Sequence, residues 1–353
     1  MKTLETGSDV RVDAFDFDLP VELIAQAPLA ERDAARLLVV GETVSDRHVQ
    51  DLPDLLAPGD LLVVNETKVL PTRFAGRRRR GSSPVQVTLV ADLGADRWTA
   101  FAKPGRRLLP GDVVTLAPGL EAVVETKDAT GAFTLGLEAD SGSVREAIRE
   151  QGAMPLPPYI KRPTGGDPAD LERYQTIFAK AEGSVAAPTA SLHFTERLLA
   201  ALKSRGIERA SLTLHVGLGT FLPVKVEETT EHRMHAEWFD LPRATVAAID
   251  ATRARGGRVV AVGTTVLRVL EAQAVSGELR AGRGETALFV TPGFTFNVVD
   301  RLLTNFHLPR STLFMLVAAL AGLERMRAAY AHAVAERYRF FSYGDACLID
   351  RLT

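Results

Sequence analysis

The alternation of apolar and polar positions changes character twice along the chain, and each change marks a different kind of structure. Near the start, Phe15-Asp-Phe-Asp-Leu19 alternates as a strand does, and Pro20 suits the first turn of a short helix. Leu37-Leu-Val-Val40 and Leu61-Leu-Val-Val64 are continuous apolar runs of buried-strand length, with Pro58-Gly-Asp60 as a turn between them. After about Lys68 the texture becomes short strand-like runs at 85–90, 98–102, 112–116, 121–126 and 132–138, separated by Pro104-Gly105, Pro110-Gly111 and Pro118-Gly119. Many short strands with frequent turns predict a small antiparallel barrel. Ser143 with Glu146 forms a capping-box signature for a helix leading out of it.

From about residue 195 helical and strand periods alternate. Thr195 to Arg205 is predicted helical, stopped by Gly206, and Leu212-Thr-Leu-His-Val216 is a strand. Ala244 to Arg255 is a helix, Arg258 to Val262 a strand, and Gly263-Thr-Thr265 opens a helix through Ala274. Thr286 to Val290 reads as another strand, and the tail from Thr312 to Arg339 as mainly helical. The expected fold class is α/β, with a mixed, partly parallel sheet flanked by helices and an inserted small antiparallel β-barrel domain. The expected division is a discontinuous α/β catalytic domain, 1–67 and 150–353, around a barrel domain, 68–149.

Composition narrows the function classes. Among 353 residues, 46% are apolar, enough for a substantial core. No apolar run reaches the roughly 18 residues of a membrane span. The opening Met1-Lys-Thr-Leu-Glu-Thr-Gly7 lacks the apolar core of a signal peptide. Cys347 is the only cysteine, so neither an intrachain disulfide nor a thiolate cluster is available. A cytoplasmic, monomeric enzyme needing no metal and no prosthetic group is the expectation. Net charge is only −2, yet 68–107 carries ten Lys/Arg against two Asp/Glu. Such an excess attracts phosphate backbones, although Arg77-Arg-Arg-Arg80 alone is also what a solvated basic loop looks like.

The densest polar signals interrupt apolar segments between Met154 and Phe221. His215 precedes Gly217-Leu-Gly219-Thr220 at a predicted strand end, where open α/β sheets bind ligands, so it is a candidate for acid–base work. His193 lies close to Thr189. Gly263-Thr264-Thr265 places free N–H groups and hydroxyls at a strand–helix junction suited to an anion, with Arg268 one turn on; an ordinary helix cap has the same signature. Glu231-His-Arg-Met-His-Ala-Glu237 holds His232 and His235 three apart, a spacing that would share a helical face for metal or supply an acid or base from His235 or Glu237. Thr304-Asn-Phe-His-Leu-Pro309 offers Asn305 and His307 for hydrogen bonds to a heterocyclic base and Phe306 for stacking. Tyr338-Arg-Phe-Phe-Ser-Tyr-Gly-Asp345 is expected to close the core rather than touch ligand. Neither a phosphate loop, a complete dinucleotide fingerprint nor a nucleophile elbow is present.

In order and spacing these motifs resemble the S-adenosylmethionine:tRNA ribosyltransferase-isomerases of queuosine biosynthesis. The resemblance runs through Asn65-Glu-Thr-Lys-Val-Leu-Pro71, Met154-Pro-Leu-Pro-Pro-Tyr-Ile160, Val185-Ala-Ala-Pro-Thr-Ala-Ser-Leu-His-Phe194, Thr213-Leu-His-Val-Gly-Leu-Gly-Thr-Phe221, Met234-His-Ala-Glu237 and Ala261-Val-Gly-Thr-Thr265. It implies an α/β domain with an inserted barrel. It also implies S-adenosylmethionine as cosubstrate and, as partner, tRNA carrying 7-aminomethyl-7-deazaguanine at the wobble position, with epoxyqueuosine as product. In the barrel's first strand the family's Gly-Lys-Ile-Glu-Val-like run is here Pro84-Val-Gln86-Val, and Ser191 stands where glycine is common. The expected proton-handling residues are His215, His235, Glu237 and His307. The expected binding residues are Thr189, His193, Gly217, Gly219, Thr220, Gly263, Thr264, Thr265, Arg268 and Asn305. Two other classes are compatible with parts of the pattern: a noncatalytic RNA-binding protein using the basic insert, and a metal-dependent nucleotide hydrolase using His232, His235 and Glu237.

Overall fold

The computed structural model describes residues 11–217 and 226–352. The first stretch gives β1 (Arg36–Val40), β2 (Val44–His48), a one-turn α1 (Leu52–Leu55), β3 (Leu61–Asn65) and β4 (Thr67–Val69). Six strands follow: β5 (Arg73–Arg78), β6 (Pro84–Gly94), β7 (Arg97–Lys103), β8 (Val113–Ala117), β9 (Leu120–Lys127) and β10 (Phe133–Ala139). Then come α2 (Val144–Gln151), the short α3 (Asp170–Arg173), β11 (Ala181–Ser184), α4 (Glu196–Ser204), β12 (Glu208–Leu214), β13 (Glu237–Leu241) and α5 (Arg243–Ala254). The chain continues through β14 (Val259–Val262), α6 (Thr264–Gln273), β15 (Gly282–Thr286), β16 (Arg301–Asn305), α7 (Thr312–Ala321), α8 (Leu323–Ala335) and β17 (Ala346–Asp350).

Nine strands form one mixed sheet in the order β15-β13-β12-β3-β14-β16-β17-β1-β2. Its four central strands, β12, β3, β14 and β16, are mutually parallel, so their carboxyl ends share one edge. Strands β3, β14 and β16 are buried at every position, as a sheet covered on both faces requires. Alternate side chains serve opposite layers. Leu61, Val63, Val259, Ala261 and Leu302 pack with α6, α7 and α8, while Leu62, Val64, Val260, Val262 and Leu303 pack with α1 and α4. Local chemistry sets the helix ends. The Thr195 and Ser311 hydroxyls accept from the N–H groups of Leu198 and Phe314, and Gly322, at φ 91°, separates α7 from α8.

The insert is a closed antiparallel barrel in the order β10-β7-β6-β5-β8-β9. Phe74, Val87, Leu89, Trp98, Val114 and Leu135 fill it, and α2 plugs one end with Val144, Ala147 and Ile148. Ser143 and Glu146 form the expected capping box on α2. The two connections to the sheet domain are tied together. Arg73 and Ala153 exchange backbone hydrogen bonds of 3.0 and 2.8 Å. A Cβ on Gly152 would stand 1.6 Å from the Pro71 carbonyl oxygen, so only glycine fits there. Beside this neck β4 pairs with β11, and Glu182 receives Lys68 at 3.1 Å and Arg149 at 2.7 Å.

Several expectations are corrected. Phe15 to Leu19 is not a strand: Val12–Phe15 is a 3-10 turn, and Phe15 and Phe17 both insert against Phe314. The strand expected at Thr286–Val290 lies instead at Gly282–Thr286. Strand β12 ends at Leu214, leaving His215 one residue beyond it. His232 and His235 follow a 3-10 turn, Thr229–Glu231, in non-helical chain and share no helical face. Arg77 and Arg78 belong to β5, not to a loop. Among the described residues no helix is long and apolar enough to cross a membrane.

Candidate active site

A cavity of about 610 Å³ opens at the carboxyl edge of the parallel strands, within the about 300–1,000 Å³ of small-molecule sites. Its walls come from chain segments far apart in sequence, each delivered by a strand end. From β14 come Gly263, Thr264 and Thr265, from β16 Asn305 and His307, and from the turn after β11 Thr189. Gly263 holds φ 94°, a left-handed conformation that lets α6 begin directly under the cavity without a side-chain cap. The first-turn N–H groups of α6 have no intrahelical acceptor and point to where an anion would sit. Asn65, at the end of β3, donates to the Leu214 carbonyl oxygen at 3.0 Å and to the Thr265 hydroxyl at 3.3 Å. It thereby ties β12 to the start of α6.

Among the described residues two arginines line this cavity, the exposed Arg310 and the buried Arg268. Arg268 is 3% exposed and paired with the equally buried Glu237. The other Glu237 oxygen accepts the Gly217 N–H at 3.0 Å, and the Arg268 Nε donates to the Leu288 carbonyl at 3.0 Å. Glu237 is thus engaged on both oxygens and holds Arg268 in place.

The histidines separate by depth. His307 lines the cavity, its Nε2 3.0 Å from the Thr304 hydroxyl and its backbone N–H donating to Tyr330. Burial pushes its pKa down to about 3, so it is neutral. His193 stands behind Asn305, its Nε2 accepting from Nδ2 at 3.2 Å, while the Asn305 oxygen accepts from Thr189 at 2.8 Å. Burial brings His193 down to about 4. His215 does not reach the cavity wall; its neighbour Val216 does. The His215 ring stacks on Trp238 at 5.0 Å, its Nδ1 lies 2.8 Å from the Thr67 hydroxyl, and its Nε2 side faces Gly183. Burial lowers its pKa as well. His232 packs edge-on to Phe289, and His235 is outside the cavity. Among the described residues no three His, Cys, Asp or Glu side chains converge as a metal-binding group. Gly219 and Thr220 lie outside the described residues.

Phe306, expected to stack on a ligand, is fully buried among Tyr330, Tyr338 and Phe340. Phe306 and Tyr174 line the cavity but are fully buried; its more open aromatic surface is the partly exposed Tyr159, stacked on Phe341 with ring centroids 4.5 Å apart. The Tyr159 hydroxyl lies 2.7 Å from that of Ser342, and burial pushes its pKa up to about 12. Tyr338 and Phe340 do close the core, as expected, but Phe341 and Ser342 line the cavity. Phe341 turns the other way because its backbone adopts φ 71°, which a reading of side-chain hydrophobicity does not register. The tyrosine of Pro157-Pro158-Tyr159 carried a usable signal, an aromatic on a proline-fixed path.

The profile of the queuosine biosynthesis protein family matches residues 12–349. A protein of Rhodospirillum rubrum named S-adenosylmethionine:tRNA ribosyltransferase-isomerase is 55% identical over 342 residues, covering 96% of this chain and 98% of its own. One of the same name from Rhizobium meliloti is 52% identical, covering 97% and 99%. The crystal structure of S-adenosylmethionine tRNA ribosyltransferase from Thermotoga maritima, 36% identical, covers 95% of this chain and 99% of its own with a TM-score of 0.54.

Proposed function

The chain belongs to the queuosine biosynthesis protein family, and from that premise we propose how its cavity serves the transfer of the ribosyl part of S-adenosylmethionine to tRNA. The acceptor is the aminomethyl group of a 7-deazaguanine at the wobble position; adenine and methionine leave, and the product is epoxyqueuosine in tRNA. The sulfonium acidifies the adjoining C5′–H bonds. A base takes one of these protons; the ylide's electrons open the ribose ring and drive adenine from C1′, the amine bonds C1′, C5′ bonds C1′ to close the carbocycle, and the C4′ oxygen then displaces methionine's sulfur from C5′ to give the epoxide. The cosubstrate carries the reactive bond, so the protein's contribution is orientation and the movement of protons.

The observation that carries this reading is the convergence of Thr189, Gly263, Thr264, Thr265, Asn305 and His307 on one cavity at the carboxyl edge of the sheet. The start of α6, with the Thr264 and Thr265 hydroxyls, receives the methionine carboxylate. Tyr159 and Phe341 receive a heterocyclic base by stacking. Thr189 and Asn305, fixed by His193, hydrogen-bond the ribose or a base edge. Arg268, held by Glu237, adds positive potential deep in the cavity. Of the four proton-handling candidates His307 is the best sited, because it is on the wall; burial keeps it neutral but also weakens it as a base, so its claim rests on position. His215 supports the wall from outside through Val216.

The reading is tested by incubating purified protein with S-adenosylmethionine and precursor tRNA bearing the aminomethyl deazaguanine. Adenine release that depends on this tRNA is the expected result. Release of adenine without any RNA, or none with it, overturns the assignment.

A further inference from the structure

The excess of basic residues counted between 68 and 107 is not spread evenly once the barrel closes. Arg78 pairs with Asp112 at 2.7 Å, Arg97 with Glu125 at 2.7 Å, and Arg79 with Glu121; these acids come from beyond the basic stretch. Among the described residues Arg73, Arg77, Arg80, Lys103, Arg106 and Arg107 make no such ion pair, and of these Arg73 and Arg77 share one groove. Arg73 is half-buried, and among the described residues its guanidinium donates only to the neutral Gln86 amide oxygen at 3.0 Å. Burial lowers its pKa, and no carboxylate offsets that effect. Arg77 is exposed, and its side chain bonds, among the described residues, only the Ser82 carbonyl oxygen, at 3.2 Å. A partly desolvated cation without a counter-charge is unfavourable in an isolated protein, and an external anion would relieve it.

Both residues face one groove of about 650 Å³ along β5, at the foot of the barrel. Four arginines, 73, 77, 78 and 79, line it together with Ser82 and Gln151, and among the described residues no Asp or Glu does. Ala153, on the groove wall, is followed by Met154-Pro-Leu-Pro-Pro-Tyr159, and Pro158 and Tyr159 already line the cavity. Six residues of chain reach at most about 20 Å. The groove and the cavity are therefore joined by a short segment stiffened by prolines.

We propose that this groove is the phosphate-binding surface for the RNA, with Arg73 and Arg77 as the two cations that bond backbone phosphates. The proposal rests on the tRNA-modifying reading above and deepens it. A strand held there by its phosphates lies next to the segment that leads into the reactive cavity, so groove contacts set which nucleotide reaches it. Arg78 and Arg79 contribute field but keep their own carboxylates.

The test measures binding of precursor tRNA across roughly 50–200 mM salt, together with steady-state adenine release. Arg73→Gln combined with Arg77→Gln is expected to weaken binding about tenfold and to lower the log–log salt slope by about two, one per lost phosphate contact. KM for tRNA should rise while kcat at saturating tRNA changes less than about twofold. Ser82→Asp, at a left-handed turn position that Asp tolerates, puts a negative charge on the groove without removing a packed side chain and should also weaken binding. Arg97→Gln, on a residue outside the groove, should not. If the double variant is less thermally stable than the parent, Ser82→Asp decides. Parental affinity and slope in both the double variant and Ser82→Asp, with parental protein still releasing adenine, would overturn the groove and leave the reaction standing. Failure of the parental protein to bind tRNA or release adenine would remove the reaction itself.

Discussion

On the proposed reading His307 is the candidate base because it lines the cavity; burial, which brings its pKa to about 3, keeps it neutral at the cost of basicity. We predict that His307→Gln lowers turnover by roughly 10²–10⁴, the span for loss of a general acid–base group, with S-adenosylmethionine affinity little changed. Because the neutral form already prevails above about pH 4, His307 should impose no acidic limb on kcat between pH 5 and 8. Near-parental turnover of the variant in adenine release would return the role to His215. The sequence marked both histidines, but letters alone do not say which one reaches a ligand. Asn65 decides it by accepting the Leu214 N–H at 3.1 Å and donating to the Leu214 carbonyl at 3.0 Å. That grip fixes the rotation of the chain past β12, so Val216 meets the cavity and His215 meets Trp238.

Elements with a strong period were legible, and those that mix signals were not. The barrel strands from β6 onward, α4, α5, β14 and α6 follow their apolar patterns closely. Strand β5 was hidden because two of its outward positions, Arg73 and Arg77, are arginines, which dominate the reading, while Phe74 and Gly76 face inward. Strand β16 was hidden because Arg301 opens it; that arginine is buried but paired with Asp350 on β17. Strand β11 shows how narrow the tolerances are. Gly183 has φ 148°, and a Cβ there would stand 2.7 Å from the His215 Nε2. Gly183→Ala should therefore push the ring off Trp238 and loosen the β4–β11 pair, lowering stability by roughly 1–3 kcal/mol through strain and overpacking. Thermal denaturation together with Trp fluorescence checks this; an unchanged melting point and spectrum would mean that the ring moves freely.

For the whole molecule, His193 and His307 couple folding to pH. Both have folded-state pKa values, about 4 and about 3, below the ordinary value of 6.5. Their stabilising effect is complete above pH 6.5 and is lost as pH falls, because the unfolded chain takes up protons that the folded one refuses. Each should remove about 1.4 kcal/mol per pH unit below 6.5. Glu271 and Asp345, whose pKa values burial raises, act in the opposite sense. Urea denaturation between pH 6.5 and 5 should therefore give a shallower stability slope for His307→Asn than for the parent. Equal slopes would mean that His307 is solvated in solution. At this scale the α/β frame and its inserted barrel were readable from the change of period. What pattern could not supply was the meeting of Pro71 with Gly152 and of Arg73 with Ala153. That neck bears on the order of folding. Strands β3 and β12 must pair across an intervening stretch that contains the whole barrel. Once the barrel has formed and its ends are joined at the neck, the loop left to close is about half as long, which lowers its entropic cost by about 0.6 kcal/mol. The insertion, which interrupts the sheet domain in sequence, thus shortens the search by which that domain completes itself.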